Sequence, residues 1–184
     1  MSNRISFETV GSIVAIVVGV AALFVAWDEA KSVRKQQAAS VLPILKVYTL
    51  YVSEEEGYKS AVIVENVGVG PAFIENARSS WSGESLQSIR AGLRHLPDAQ
   101  NLTNIWTSPL YGEIVAGDSQ YEYVSAIMPT DKISATYVNE LKNTIASNLK
   151  IEACYCSIYN DCWKTSLNKD GRPEPVKTCK GEGW

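Results

Sequence analysis

The stretch Thr9 to Trp27, TVGSIVAIVVGVAALFVAW, carries no charge over its nineteen residues. At a rise of about 1.5 Å per residue such a helix is about 28 Å long, close to the hydrocarbon thickness of a bilayer. A secretory signal peptide has a shorter apolar core that ends in a small-x-small cleavage site, and Trp27-Asp28-Glu29 is a poor one. A core helix of a soluble protein would show a polar stripe, which is missing. The run therefore reads as a transmembrane helix over residues 9–27, preceded by a short tail at 1–8. Its first expected partner is the lipid bilayer.

Gly11, Ala15 and Gly19 recur every four residues and share one helix face. This is the small-xxx-small pattern that lets backbones approach in lipid, and it makes these three the candidates for self-association, although Gly is common in membrane helices. After the span, Lys31, Arg34 and Lys35 sit where they could meet anionic headgroups or simply anchor topology. Set against Arg4 and the amino terminus, these three cations favour a cytoplasmic C-terminal domain by a margin of about one charge. Residues 28–41 are good helix formers and extend the helix as a stalk, and Pro43 turns the chain toward extended geometry.

The remaining residues suffice for one domain with its own core. A net charge of −3 and a sequence pI near 5.3 supply no basic field, so nucleic acid is not an expected partner. From Ile44 the periodicity shortens to two. Strands are expected at 44–52, 59–65, 72–81, 113–116, 121–128, 150–159 and 162–167, about seven in all. Two amphipathic helices interrupt them: Ser85 to Leu96, with Leu86, Ile89, Leu93 and Leu96 at helical spacing, and Ser134 to Leu149, with Tyr137, Leu141 and Ile145 at i, i+4, i+8. The fold class is a membrane-anchored, mainly β protein with a β-sandwich at 42–167 and an irregular tail at 168–184.

Between the second and third strands lies Asn66-Val67-Gly68-Val69-Gly70-Pro71-Ala72. Its glycines are expected to supply positive φ, and Pro71 blocks further strand pairing. No Lys-Ser/Thr follows, so it is not a phosphate loop. The membrane helix, the stalk with Gln36 and Gln37, the proline before the first strand, N-V-G-V-G-P-A-F-I and the late Y-C-S-I-Y-N-D-C-W together resemble a loose group of small bacterial membrane-anchored proteins. That resemblance implies an immunoglobulin-like sandwich after one inner-membrane span. It makes Asn66, Gly68, Gly70, Pro71 and Ala72 fold-defining and carries no settled activity. Where the group often has Gly in the late hairpin turn, this chain has Asn160-Asp161, which tolerates left-handed geometry.

The cysteines follow C-x-C-x5-C-x16-C, without the C-x2–4-C knuckles of ordinary zinc sites, so no metal or cofactor is expected. Cys154 and Cys156, two apart on a strand, share a face and do not readily bond to each other. In a cytoplasmic domain all four thiols stay reduced, whereas in an exported one a Cys162–Cys179 staple is expected. His95, the only histidine, lies far from the cysteines in sequence, and no nucleophile–base, H-E-x-x-H or Walker pattern appears. The chain is therefore expected not to be an enzyme. It reads as an interaction module for an unknown protein partner, with the alternative of a ligand sensor whose pocket would be lined by Trp81, Trp106, Tyr121 and Tyr123 and which would control helix assembly.

Overall fold

A computed structural model describes residues 7–169 and 172–181. The chain divides into two compact units, one ending at Ser40 and the other starting at Val41.

The first unit is a single unbroken α-helix, α1 (Phe7–Ser40). It is long and apolar enough to cross a membrane, and its apolar stretch is not buried within the molecule. Val10, Ile16, Val18, Leu23 and Phe24 are all exposed, in a helix that lacks the polar stripe of a water-facing surface.

The second unit is mainly β. Its strands are β1 (Leu45–Glu54), β2 (Gly57–Asn66), β3 (Ala72–Trp81), β4 (Glu84–Ser85), β5 (Thr103–Thr107), β6 (Ile114–Val115), β7 (Ser119–Pro129), β8 (Leu149–Cys156), β9 (Cys162–Ser166) and β10 (Glu174–Val176). One sheet has the order β1-β2-β7-β5; the other runs β10-β9-β8-β3-β4, with β6 also on β3. All named pairings are antiparallel. The expected seven strands thus become ten among the described residues. The short strands β4 and β10 and the irregular β5, whose register shifts at Asn104 with φ of 45°, have too little alternation to register in a sequence pattern.

Leu45, Val47, Val62, Val64, Ile74, Tyr123, Ile151, Ala153 and Tyr155 form the main core, with contributions from both sheets. The Tyr155 hydroxyl accepts from Leu45 N at 3.1 Å and so ties β8 to β1 across that core. The helix expected over Ser85 to Leu96 is much shorter. It is one turn, α2 (Ile89–Gly92), capped by Ser88 and followed by a 3-10 turn at Leu93–His95, because Ser85 is taken into β4 and Gly92 is a poor helix former. The second expected helix is α3 (Ala135–Asn148), which begins on a Ser134 side chain accepting from Tyr137 N. Its Tyr137, Leu141 and Ile145 pack on Tyr58, Leu96 and Met128 as a second core.

The tail is ordered where it is described. β10 pairs with β9, and Asn168 accepts from Thr49 N and donates its own N–H to the Val47 carbonyl.

Candidate functional site

Two constructions meet at the end of the domain where the chain leaves Val41. The first centres on Asn66, which is fully buried. Its Oδ1 accepts from Ile44 N at 3.1 Å and Gly68 N at 3.0 Å, and its Nδ2 donates to Gly70 O at 2.8 Å and Val115 O at 3.0 Å. One side-chain amide therefore uses both its donors and both its acceptor positions to join the first segment, the turn and β6. Gly68 and Gly70 do not adopt positive φ, contrary to expectation; the positive-φ glycines among the described residues are Gly57, Gly83, Gly112 and Gly181. Glycine is required at 68 and 70 by close approach instead. A Cβ at Gly68 would collide with Leu42 O and Ile44 N, and one at Gly70 with Val41 O. Pro71 ends the turn, and Ala72 opens β3 in the core.

The second construction is made of sulfur. Along β8, Ile151, Ala153 and Tyr155 face the main core, so strand alternation puts Cys154 and Cys156 on the outer face of the sheet. Cys162 lies directly opposite Cys156 in the β8–β9 register and is bonded to it; Cys154 is bonded to Cys179. The reduced thiols expected of a cytoplasmic domain and the Cys162–Cys179 staple expected of an exported one thus both give way to two other pairings, and no cysteine is free. The reason is register: the five-residue turn Ser157–Asp161, with Asn160 at φ of 61°, brings residue 162 back beside 156, which leaves Cys179 to reach Cys154. The segment after β10 crosses this face, and Asn76 donates to the Cys179 carbonyl at 3.2 Å. All four cysteines are buried and form a small cluster with Val176. The Cys156 and Cys179 sulfurs, which are not bonded to each other, lie 3.7 Å apart.

Gly11, Ala15 and Gly19 lie on exposed α1, with open space beside both glycines. Lys31 Nζ sits 5.7 Å from the Trp27 ring centre, while Arg34 and Lys35 are exposed on the same helix. His95 stacks on Trp81 with ring centres 5.3 Å apart. Trp81 lines the apolar cavity beside α2, whose volume is about 30 Å³; Trp106 is 61% exposed, Tyr121 donates toward Pro109 O, and Tyr123 shares a hydrogen bond with Ser79. Burial pushes the Tyr155 phenol up to about 12, in keeping with its role as a neutral link between sheets.

These features define a class: a long apolar N-terminal helix followed by a disulfide-bonded, two-sheet β domain. Residues 9–161 match the family described as Domain of unknown function (DUF8453), and the chain belongs to that family. The matched stretch contains the Asn66 turn, Cys154 and Cys156, and stops just before Cys162. No curated protein and no solved structure matches the chain.

Proposed function

We propose that this is a single-pass membrane protein that presents an immunoglobulin-like β-sandwich on the outer side of the membrane as a protein-interaction module. The observation that carries the orientation is the pairing of all four cysteines. Disulfides persist in oxidising compartments and are reduced in the cytosol, an argument that outweighs a charge bias of about one residue. In a bacterium the domain would then lie on the periplasmic side of the inner membrane. The immunoglobulin likeness is supported by strand order. Taking β1, β2, β3, β5, β7, β8 and β9 as strands A to G, the sheets read A-B-E-D and G-F-C, with β4 beside C.

The word interaction is supported by Trp106, Tyr111 and Ile114, which are 61%, 70% and 61% exposed on the connection around β5 and β6. Large apolar side chains held in water on an ordered segment are typical of binding surfaces. In the membrane, Gly11, Ala15 and Gly19 offer a face for self-association.

A membrane-impermeant maleimide tests the orientation. Labelling that requires reductant but no permeabilisation of the inner membrane is expected; labelling without reductant, and only in permeabilised cells, would sink it. Crosslinking in intact membranes tests the rest. Trp106→Asp and Tyr111→Asp should remove a crosslinked partner that Ala15→Ile and Gly19→Ile leave in place, while the latter pair should remove a self-dimer. A wild type that forms neither species overturns the interaction reading.

A further inference from the structure

We propose that the four cysteines form a redox-gated zinc site: as two disulfides the cluster is closed to metal, and once reduced it holds one Zn²⁺ through Cys154, Cys156, Cys162 and Cys179. The proposal goes beyond partner binding and does not rest on it. Its basis is that the sulfurs converge in three dimensions although their spacing in sequence lacks zinc knuckles. Those of Cys156, Cys162 and Cys179 all lie within 4.8 Å of one another, and Cys154 is bonded to Cys179. A tetrahedral zinc with bonds of about 2.3 Å to sulfur requires its ligands to stand about 3.8 Å apart. Cys156 and Cys179, the pair joined by no bond, already stand 3.7 Å apart. Each bonded pair must part to the same separation, and Cys154, whose sulfur lies outside that 4.8 Å group, must turn toward Cys156 and Cys162.

The backbone would hold the ligands in place without the disulfides. Cys154 and Cys156 sit on β8 between β3 and β9; Cys162 is held opposite Cys156 on β9, where Lys164 faces Cys154; Cys179 is held by the Asn76 side chain and by β10 on β9. Burial of all four sulfurs, with Val176 packed over them, excludes competing water. Exposed Lys177 and Lys180 flank Cys179 and offset part of the negative charge of a tetrathiolate.

The chemistry balances with a dithiol reductant. Two dithiols reduce the two protein disulfides by exchange, giving two reductant disulfides and four protein thiols. Metal binding then displaces the thiol protons into water, leaving four thiolate–zinc bonds and no change in oxidation state.

The test uses the full chain in detergent micelles, reduced with a phosphine so that the reductant does not compete for metal, and Co²⁺ as the probe. The reduced protein should take up one equivalent with thiolate-to-cobalt charge transfer and the intense visible bands of tetrahedral coordination, and Zn²⁺ should bleach them. The oxidised protein should take up none. Cys162→Ser and Cys179→Ser should each weaken binding by more than the roughly 10–100-fold that loss of a mere supporting contact costs. A reduced chain without a tetrahedral thiolate spectrum, or a Cys179→Ser chain with wild-type affinity, overturns the proposal. So does uptake that persists at equal affinity in urea, or a reduced chain that unfolds and is not refolded by zinc.

Discussion

The two ends of the β domain are built by different means. At the Val41 end, polar groups and sulfur do the joining: Asn66 places four hydrogen bonds, and Cys154–Cys179 and Cys156–Cys162 fasten the tail and the last hairpin. At the opposite end, where β2 begins and β7 finishes, α3 covers the opening by apolar packing of Tyr137, Leu141 and Ile145 on Tyr58 and Met128. Packing tolerates substitution of similar volume, whereas a buried amide with every donor and acceptor used tolerates none. The contrast also shows in what is left over. Asn66 has no unmet group, while the Tyr137 hydroxyl is buried with no hydrogen-bond partner.

The sharpest break of this comparison is Asn66→Ala. It removes the side-chain partner of Ile44 N, Gly68 N, Gly70 O and Val115 O, and chemical denaturation should register a loss of about 4 kcal/mol. Asn66→Asp, nearly equal in shape, should fail as well, because it aims a carboxylate oxygen at two carbonyls. A loss below about 1 kcal/mol for the alanine variant would show that the turn is held by its glycines and not by the amide. Next in size is the tail clasp. Replacing Cys154 and Cys179 together by Ala opens a loop of sequence separation 25 and should cost about 3 kcal/mol, against about 2 for the Cys156–Cys162 pair at separation 6. Equal losses would mean that the tail stays docked through β10 and Asn76 alone.

How much of this was legible in the sequence differs between the same two ends. α3 was legible because its three core residues repeat at helical spacing, which depends on neighbours within one element. The Asn66 turn was legible as a turn, since the Gly-x-Gly-Pro chemistry is local, but the reason for its glycines was not. Collisions with Val41, Leu42 and Ile44 come from residues more than twenty positions away. The sulfur pairing was hidden for the same reason. It depends on the length of the Ser157–Asp161 turn and on the path of a tail whose three-residue β10 has no visible alternation. β5 escaped because Trp106, Asn104 and Thr103 are all exposed, so no buried face announces a strand. The candidate metal cluster was invisible from spacing, because its ligands meet across strands and not within knuckles.

A smaller effect sharpens the account of the α3 end. Tyr137→Phe removes a hydroxyl that has no partner and keeps the ring on Met128 and Tyr58, so the variant should be more stable by about 1 kcal/mol. Burial first, then the nearby Asp98 charge, pushes this phenol up to about 12, so the hydroxyl stays neutral and offers no charge to compensate. A destabilised Tyr137→Phe would mean that the hydroxyl bonds an ordered water, and the α3 end would then be less purely apolar than its packing suggests.

The smallest expected effect belongs to an ion pair on the β2–β7 pairing, where Lys59, near the start of β2, meets Glu122, with Glu54 at 3.8 Å from the same ammonium. Burial alone would raise the Glu122 carboxyl, but hydrogen bonds from Lys59 and Ser125 outweigh it and hold the group below its ordinary 4.5; hydrogen bonding to Glu122 raises Lys59 above 10.5. A carboxyl depressed in the folded state adds stability above its unfolded pKa and loses it as pH falls through the folded one. The lysine has the opposite sign: its share is present below 10.5 and is lost as pH rises through the raised value. Glu122 is about a third exposed, so the pair is worth roughly 0.5 kcal/mol at neutral pH. The difference in unfolding free energy between wild type and Glu122→Gln should therefore be greatest between about pH 5 and 10 and shrink toward both extremes. A difference that stays constant from pH 3 to 7 would assign the effect to side-chain packing on the sheet and leave the charge with no part in it.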